Sequence, residues 1–506
     1  MQGLRPASFL SRSIRRFSAS CIRQKIASPA TKSQHLAHPQ YNLKHLVANS
    51  QDYIISSTRR RLPAVAQSIP VIIDLYREAN SCRARRTEIY TERKQLQGKI
   101  KKCSAENRAE ILTRLMELKE IGTEIDDMIE GLEVKIRDLM DSVPNLLPTD
   151  CPVSEEYVVK YLCPPPPIGT AKVVDDNNFI VPIDYDEKRP DHVDIGTALG
   201  IIDLQTASKI SGHAFYYLLG DGALLEQALV QFALSKARKK GFKVMLPPSV
   251  VRREYAMACG FRPRDADGER QIYNLTIAGG AAGDEFQEEG GLCLTGTAEI
   301  PLAGWASDRI FSAAELPLKV AGVSRSYRAE AGAHGRDTRG IYRVHEFTKV
   351  ELFAWVPGRS ESGESETLNT TTSEAMLEEL RDLQEEIMSD LGLHCRVLNM
   401  PSTDLGASAY KKYDIEAWMP GRQGWGEVTS ASNCTDYQAR RLHTRVRNAT
   451  QEISHAHTLN GTAMAVPRVI VAILENFYDA ERQAIWIPKP LRRYLDDRVW
   501  IGKDDF

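Results

Sequence analysis

RSYRAEAGAHGRDTRGIYRVHEFTKVE, residues Arg325 to Glu351, packs five arginines and four acidic groups among small and apolar residues. The segments SYRAE and YRVHEFTKVELFAW are rich in β-branched and aromatic residues and read as two strands, while AGAHGRDTRG between them is Gly-rich and turn-like. The expected object is a long antiparallel hairpin with a basic loop. Arginine presents a planar, permanently charged fork that matches phosphate and carboxylate oxygens two at a time, so Arg328, Arg336, Arg339 and Arg343 could hold a polyphosphate. Glu330 and Glu351 could then read amines or hydroxyls. Taken alone, the same composition also describes a solvated, salt-bridged hairpin.

Outward from this stretch, length comes first. The 506 residues suggest roughly three units at about 150 residues per domain. Charged residues make up 26% of the chain but the net charge is only −2, so any nucleic-acid contact must be local. Nine cysteines include no CxxC pair and no His/Cys cluster at ligand spacing, so no zinc is expected. No stretch reaches the roughly 18 apolar residues of a membrane span.

The amino terminus carries a separate message. No Asp or Glu precedes Asp52, while Arg5, Arg12, Arg15, Arg16, Arg23, Lys25 and Lys32 are interleaved with Ser, Ala, Leu, Ile and Phe. Residues 1–40 therefore read as a mitochondrial transit peptide with a disordered lead, addressed to the matrix, and Arg15-Arg16-Phe17-Ser18 resembles a processing site. The alternative is a basic tail that targets nothing.

From about Ile69 to Val143 the pattern becomes two long amphipathic helices. Ile111, Leu115, Leu118, Ile125, Ile129, Leu132, Ile136, Leu139 and Val143 fall on alternating steps of four and three, with Gly122 the one gap, which is a coiled-coil seam. In the first helix Arg86 and Arg93 fall on the seam beside Ile72, Leu75, Ala79, Cys82, Ile89, Leu96 and Ile100. A two-stranded antiparallel arm turning near Ser104 to Asn107 is expected, and it should project into solvent. Arg83, Arg85, Arg86, Arg93, Lys94 and Lys99 crowd its first helix, which is either a solvated face or a nucleic-acid contact.

The strings RAEAG, GRDTRG, YRVHEF and KVE resemble motif 2 of the class II aminoacyl-tRNA synthetases, in the form found in seryl-tRNA synthetases. Leu224 to Lys240 (helix), Phe242 to Leu246 (strand) and Pro247-Pro248 are similar to motif 1, and HTLNGTAMAVPRVIVAILENFY to motif 3. The resemblance implies an α+β fold, an antiparallel sheet flanked by helices, in a catalytic domain over residues 191–506. It also implies a tRNA-binding domain with the coiled-coil arm over 41–150, a linker over 151–190, and a homodimer built on motif 1. The arm would contact tRNA(Ser) through Arg83, Arg85, Arg86, Arg93 and Lys94, reading shape more than bases.

Residue roles follow from the same resemblance. Thr297, Ala298 and Glu299 would face L-serine together with Glu351 and Thr462. Arg328 would bridge the α-phosphate of ATP and the serine carboxylate, with Ala329 beside it, Glu330 accepting from the adenine amine and Phe347 stacking on the ring. Arg336 and Arg343 would meet distal phosphates or the tRNA end. Glu427 and Ser430 would hold Mg²⁺ between phosphates, Val428 and Thr429 would lie along the nucleotide, and Arg468 would meet the γ-phosphate and adenine. The implied reaction is attack of the serine carboxylate on the α-phosphorus of ATP, loss of pyrophosphate, then transfer of serine to a terminal tRNA hydroxyl. Positioning and charge neutralisation would carry the rate, with no covalent nucleophile. The other reading is a non-catalytic, synthetase-like RNA-binding paralogue, which retention of Arg328, Glu330, Glu351, Glu427, Ser430 and Arg468 argues against.

Three positions depart from the family pattern: Glu346 where glutamine is usual, and Ala463 and Pro467 where glycines are common. The segment TDCPVSEEYVVKYLCPPPP also lacks the acidic, Gly-containing turn the family shows after Leu147-Pro148.

Overall fold

The computed structural model describes residues 36–100, 105–164, 173–174, 179–180, 188–261, 271–275, 291–329, 339–358, 372–448 and 450–502. The expected presequence up to residue 35, Glu330 and Arg336 lie outside the described residues.

Two helices of equal length, α1 (Pro63–Ile100) and α2 (Ala105–Ser142), form the expected hairpin. At 1.5 Å per residue each is about 57 Å long. The seam is buried as its spacing requires, with Ile89, Leu118, Ile125 and Ile129 in the outer part and Ile69, Ile72, Leu132 and Ile136 nearer the base. The two off-pattern arginines of α1 have specific partners on α2. Arg93 Nη1 lies 4.0 Å from where a Gly122 Cβ would stand, so the gap in one helix accommodates the long side chain of the other. Arg86 pairs with Asp126 at 3.2 Å and Arg83 with Glu133 at 2.6 Å. These part-exposed pairs contribute only about 0–1 kcal/mol each, but they set the register of the two helices.

The main body is built on one eight-stranded sheet. Its strands are β1 (Tyr157–Leu162), β2 (Lys243–Met245), β3 (Leu318–Tyr327), β4 (Glu346–Val356), β5 (Cys395–Asn399), β6 (Lys411–Met419), β7 (Gly424–Thr435) and β8 (His457–Ala465). The spatial order is β1-β5-β6-β7-β8-β4-β3-β2, antiparallel throughout except for the parallel β3–β2 pair at the edge. Three helices, α3 (Asp221–Lys239), α5 (Ser373–Asp390) and α7 (Val466–Phe477), pack on one face, and the short helices α4 (Glu299–Trp305) and α6 (Tyr437–Leu442) lie on the other. Val469, Ile470, Ile473 and Leu474 of α7 are fully buried there. Each contributes roughly 1.5–3 kcal/mol relative to exposure, which fixes α7 beneath the sheet.

Two expectations are corrected. Residues 151–190 are not simply a linker, because Tyr157–Leu162 pairs with β5 and forms the sheet's edge. That strand was obscured by the proline run that follows it. The hairpin strands also differ from the strings that suggested them: β3 ends at Tyr327, so Arg328 and Ala329 lie beyond it, and β4 starts at Glu346, so Tyr342 and Arg343 precede it. There the backbone bonds leave the hairpin: His345 N–H donates to the Ala214 carbonyl at 3.1 Å and Ala329 N–H to the Gln271 carbonyl at 3.3 Å.

Candidate active site

β3 and β4 pair with Gly322 opposite Glu351, Arg325 opposite Thr348 and Tyr327 opposite Glu346. Alternation then puts Phe347, Lys349 and Glu351 on one face and Glu346 and Thr348 on the other. The first face carries α4, which approaches closely because Gly322 has no side chain; a Cβ there would come within 2.9 Å of Leu302 Cδ1.

Glu351 is 1% exposed, forms a 2.6 Å ion pair with buried Lys349, and accepts from Thr462 Oγ1 at 3.3 Å across the β4–β8 pair. Glu299, the first residue of α4, is buried beside them and accepts from Gln438 Nε2 at 2.6 Å and Asn460 Nδ2 at 3.1 Å. Burial and the nearby Glu351 charge push its carboxyl up to about 7, while Lys349, Gln438 and Arg328 pull it down. Thr297 and Ala298 are buried just ahead, and Glu299 N–H donates to Thr297 Oγ1 at 3.3 Å. The result is a buried acidic cluster with hydroxyls beside it, a donor and acceptor set suited to an ammonium group and a hydroxyl.

The second cluster depends on a one-residue irregularity. β6 and β7 pair as Asp414 to Ser430, Ile415 to Thr429 and Glu416 to Glu427, leaving Val428 as an extra residue. Three apart, Glu427 and Ser430 would normally face opposite sides, but the bulge brings both to the face shared by Asp414 and Glu416. Lys412 pairs with buried Asp414 at 2.7 Å on that same face. Burial opposes ionisation of Glu427, but Arg468, Lys412 and Arg328 overcome it and hold its carboxyl low, whereas burial holds Asp414 high. An ionised carboxylate and a hydroxyl aimed the same way form an oxygen donor set that fits a hard divalent cation completed by phosphate oxygens.

Arg468 sits in the first turn of α7, just after Pro467, which occupies a first-turn position where its missing N–H costs nothing. Its guanidinium meets the Glu427 carboxylate at 3.2 Å, the Glu427 carbonyl at 3.2 Å and the Tyr342 carbonyl at 3.3 Å. Arg328 lies over the Phe347 ring at 5.4 Å, and its charge acts on both Glu299 and Glu427. Arg328, Tyr342, Arg343, Val344, Phe347, Pro467 and Arg468 line one cavity. Val428 and Thr429 are buried in β7, with Thr429 Oγ1 donating to the Thr462 carbonyl.

The structure therefore brings together Thr297, Ala298, Glu299, Glu351 and Thr462 in one cluster, and Arg328, Arg343, Phe347, Glu427, Ser430 and Arg468 around another. It separates Arg339, which is exposed and paired with Asp191 and Asp194, from both. On the arm, Arg85 and Lys94 are exposed, whereas Arg83, Arg86 and Arg93 are half-buried against α2. The departing residue Glu346 points to the face away from the pocket, near Arg325 (3.8 Å) and Tyr327 Oη (3.4 Å). Ala463 is a second extra residue, between the Val350–Met464 and Glu351–Thr462 pairs, and keeps a negative φ, so alanine fits where glycine is common. Sequence reasoning missed Lys349, Gln438, Asn460 and the Lys412–Asp414 pair. Lys349 was legible, since it shares parity with Phe347 and Glu351.

Residues 284–477 match the model of the tRNA synthetase class II core domain (G, H, P, S and T). The chain is 40% identical over 490 residues to the mitochondrial serine–tRNA ligase of Saccharomyces cerevisiae, covering 95% of this chain and 100% of that one. Its counterpart from Schizosaccharomyces pombe is 38% identical over 90% of this chain and 88% of its own length. Among solved structures, seryl-tRNA synthetase from Pyrococcus horikoshii complexed with ATP superposes with a TM-score of 0.78 at 33% identity, covering 92% of this chain and 99% of that one.

Proposed function

The chain belongs to the class II seryl-tRNA synthetases, enzymes that form an aminoacyl-tRNA ester, and on that premise we propose that it activates L-serine with ATP to seryl-adenylate and transfers serine to the 3′ end of tRNA(Ser). The observation that carries this reading is the cavity that Arg328 lines together with Arg343, Phe347 and Arg468, with its guanidinium over the Phe347 ring at 5.4 Å. A guanidinium fork at that place can hold the serine carboxylate and the α-phosphate in one geometry, which is the main requirement for in-line attack.

Serine enters with its ammonium toward Glu299 and its hydroxyl toward Thr462 and Glu351. ATP lies along β7 with its ring beside Phe347 and its phosphates toward Arg343 and Arg468; Glu330, outside the described residues, is assigned to the adenine amine. Glu427 and Ser430 would hold Mg²⁺, which when bound would neutralise phosphate charge. Arg328 and Arg468 neutralise the charge that develops as pyrophosphate departs.

The working form is a homodimer in the mitochondrial matrix, with residues 1–40 as its presequence. The relatives' mitochondrial names and the acid-free amino terminus support the location. Exposed Leu224, Val244, Leu246 and Val250 around edge strand β2 support the dimer. Exposed Arg85 and Lys94 of the arm contact tRNA phosphates. The test is serine-dependent ATP–pyrophosphate exchange followed by charging of mitochondrial tRNA: exchange with threonine or alanine as efficient as with serine would sink the substrate assignment.

A further inference from the structure

Tyr342 lines the same cavity as Arg328, Phe347 and Arg468. Its ring has two guanidinium groups over it, Arg422 at 4.4 Å and Arg468 at 4.7 Å from the centroid. Its carbonyl accepts from Arg468 Nε at 3.3 Å and its hydroxyl meets the Glu427 carbonyl at 3.4 Å. Room for the ring is made by Gly426, where a Cβ would come within 3.0 Å of Tyr342 Cε2.

The backbone on either side is pinned by one buried pair. His192 Nε2 accepts from Ile341 N–H at 3.2 Å, so its proton is on Nδ1 and is donated to Glu475 at 2.9 Å. The other oxygen of Glu475 accepts from the backbone N–H groups of Gly421, at 2.9 Å, and Arg422, at 3.3 Å. Gly340 allows the approach: it has φ +82°, and a Cβ on it would meet His192 Nε2 at 2.0 Å. Tyr342 and Arg422 thus hang from the same anchor, and both bear on Arg468.

We propose that Tyr342 is a positioning residue for nucleotide binding, an aromatic platform that holds the Arg468 guanidinium in the plane ATP requires. An arginine has four rotatable bonds, and fixing it before ATP arrives removes that ordering cost from binding. Cation–π contact supplies the hold, and the ring matters more than the hydroxyl. The proposal rests on the reading of Arg468 as an ATP contact.

The experiment measures ATP–pyrophosphate exchange for the full-length Tyr342→Leu, Tyr342→Phe and Arg468→Ala variants, each checked for cooperative thermal unfolding. Tyr342→Leu raises the KM for ATP roughly five- to tenfold while the KM for serine stays within about twofold, and Tyr342→Phe restores the ATP value. An unchanged KM for ATP in Tyr342→Leu, or equal rises for both substrates, overturns the platform. Wild-type exchange in Arg468→Ala would overturn the nucleotide site itself, so the two failures are distinguishable.

Discussion

Lys349 and Glu351 stand two residues apart on β4, their side chains share one face, and a 2.6 Å ion pair joins them with both groups buried. Removing one partner of such a pair leaves an uncompensated buried charge, which costs about 3–5 kcal/mol. Lys349→Met should therefore lower stability by about that amount in chemical denaturation. It should also raise the Glu299 carboxyl further, since Lys349 is one of the groups that pull it down. Stability equal to wild type would show that the pair is not coupled to the fold.

Glu299 gives a pH prediction. With its carboxyl raised to about 7, it is largely protonated at pH 6 and largely ionised at pH 8. An ammonium ligand prefers the ionised form, so kcat/KM for serine should rise as pH increases through about 7, and Glu299→Gln should flatten that limb. Serine binding near pH 7 should also release a fraction of a proton, read by calorimetry in buffers of different ionisation enthalpy. The stability effect has the opposite sense: a raised acid favours the folded state below its unfolded value and loses that contribution as pH rises through about 7.

Arg328 is expected to matter to chemistry rather than to folding. Arg328→Ala should reduce serine-dependent exchange by at least about 10³-fold, in line with loss of a preorganised charge at a reacting centre. Arg328→Lys should remain strongly impaired, because a point charge cannot bridge two acceptors as a fork does. Near-normal exchange in either variant removes Arg328 from the centre of the mechanism.

Glu346 should be nearly silent. It faces Arg325, away from the cavity, so Glu346→Gln is expected to change stability by less than about 1 kcal/mol and to leave the KM for ATP unaltered. A shift in that KM would mean its charge is felt through the sheet.

The arm can be shortened where the helices are already tied together. Replacing residues 87–125 with a short Gly-Ser loop joins positions held by the Arg86–Asp126 contact and keeps the base cluster of Ile69, Ile72, Leu132 and Ile136. Charging of tRNA should fall at least about 100-fold in kcat/KM, through loss of phosphate contacts, while exchange persists. Equal loss of both activities would make the arm a structural element.

Much of this was legible in the chain. The arm followed from a 3.5-residue period, and the pairing of β3 with β4 followed from β-branched runs around a Gly-rich turn. Even the direction of Glu346 was implicit in strand alternation counted from Glu351. What local pattern could not supply was the company each residue keeps. Gln438 and Asn460 reach Glu299 from 139 and 161 residues away, a distance at which no spacing rule operates. Tyr157–Leu162 had the right composition for a strand, but its partner β5 lies more than 230 residues later.

The extra residues Val428 and Ala463 have a consequence for how this chain can vary. Val428 shifts the phase of β7 by one and gathers Glu427 and Ser430 onto one side of the sheet, whereas Ala463 shifts β8 so that Thr462 faces Glu351 and Met464 the opposite side. Removing Val428 would leave Glu427 and Ser430 two residues apart, where plain alternation still sets both on one face, so the donor set can survive a change of strand length there as long as parity is kept.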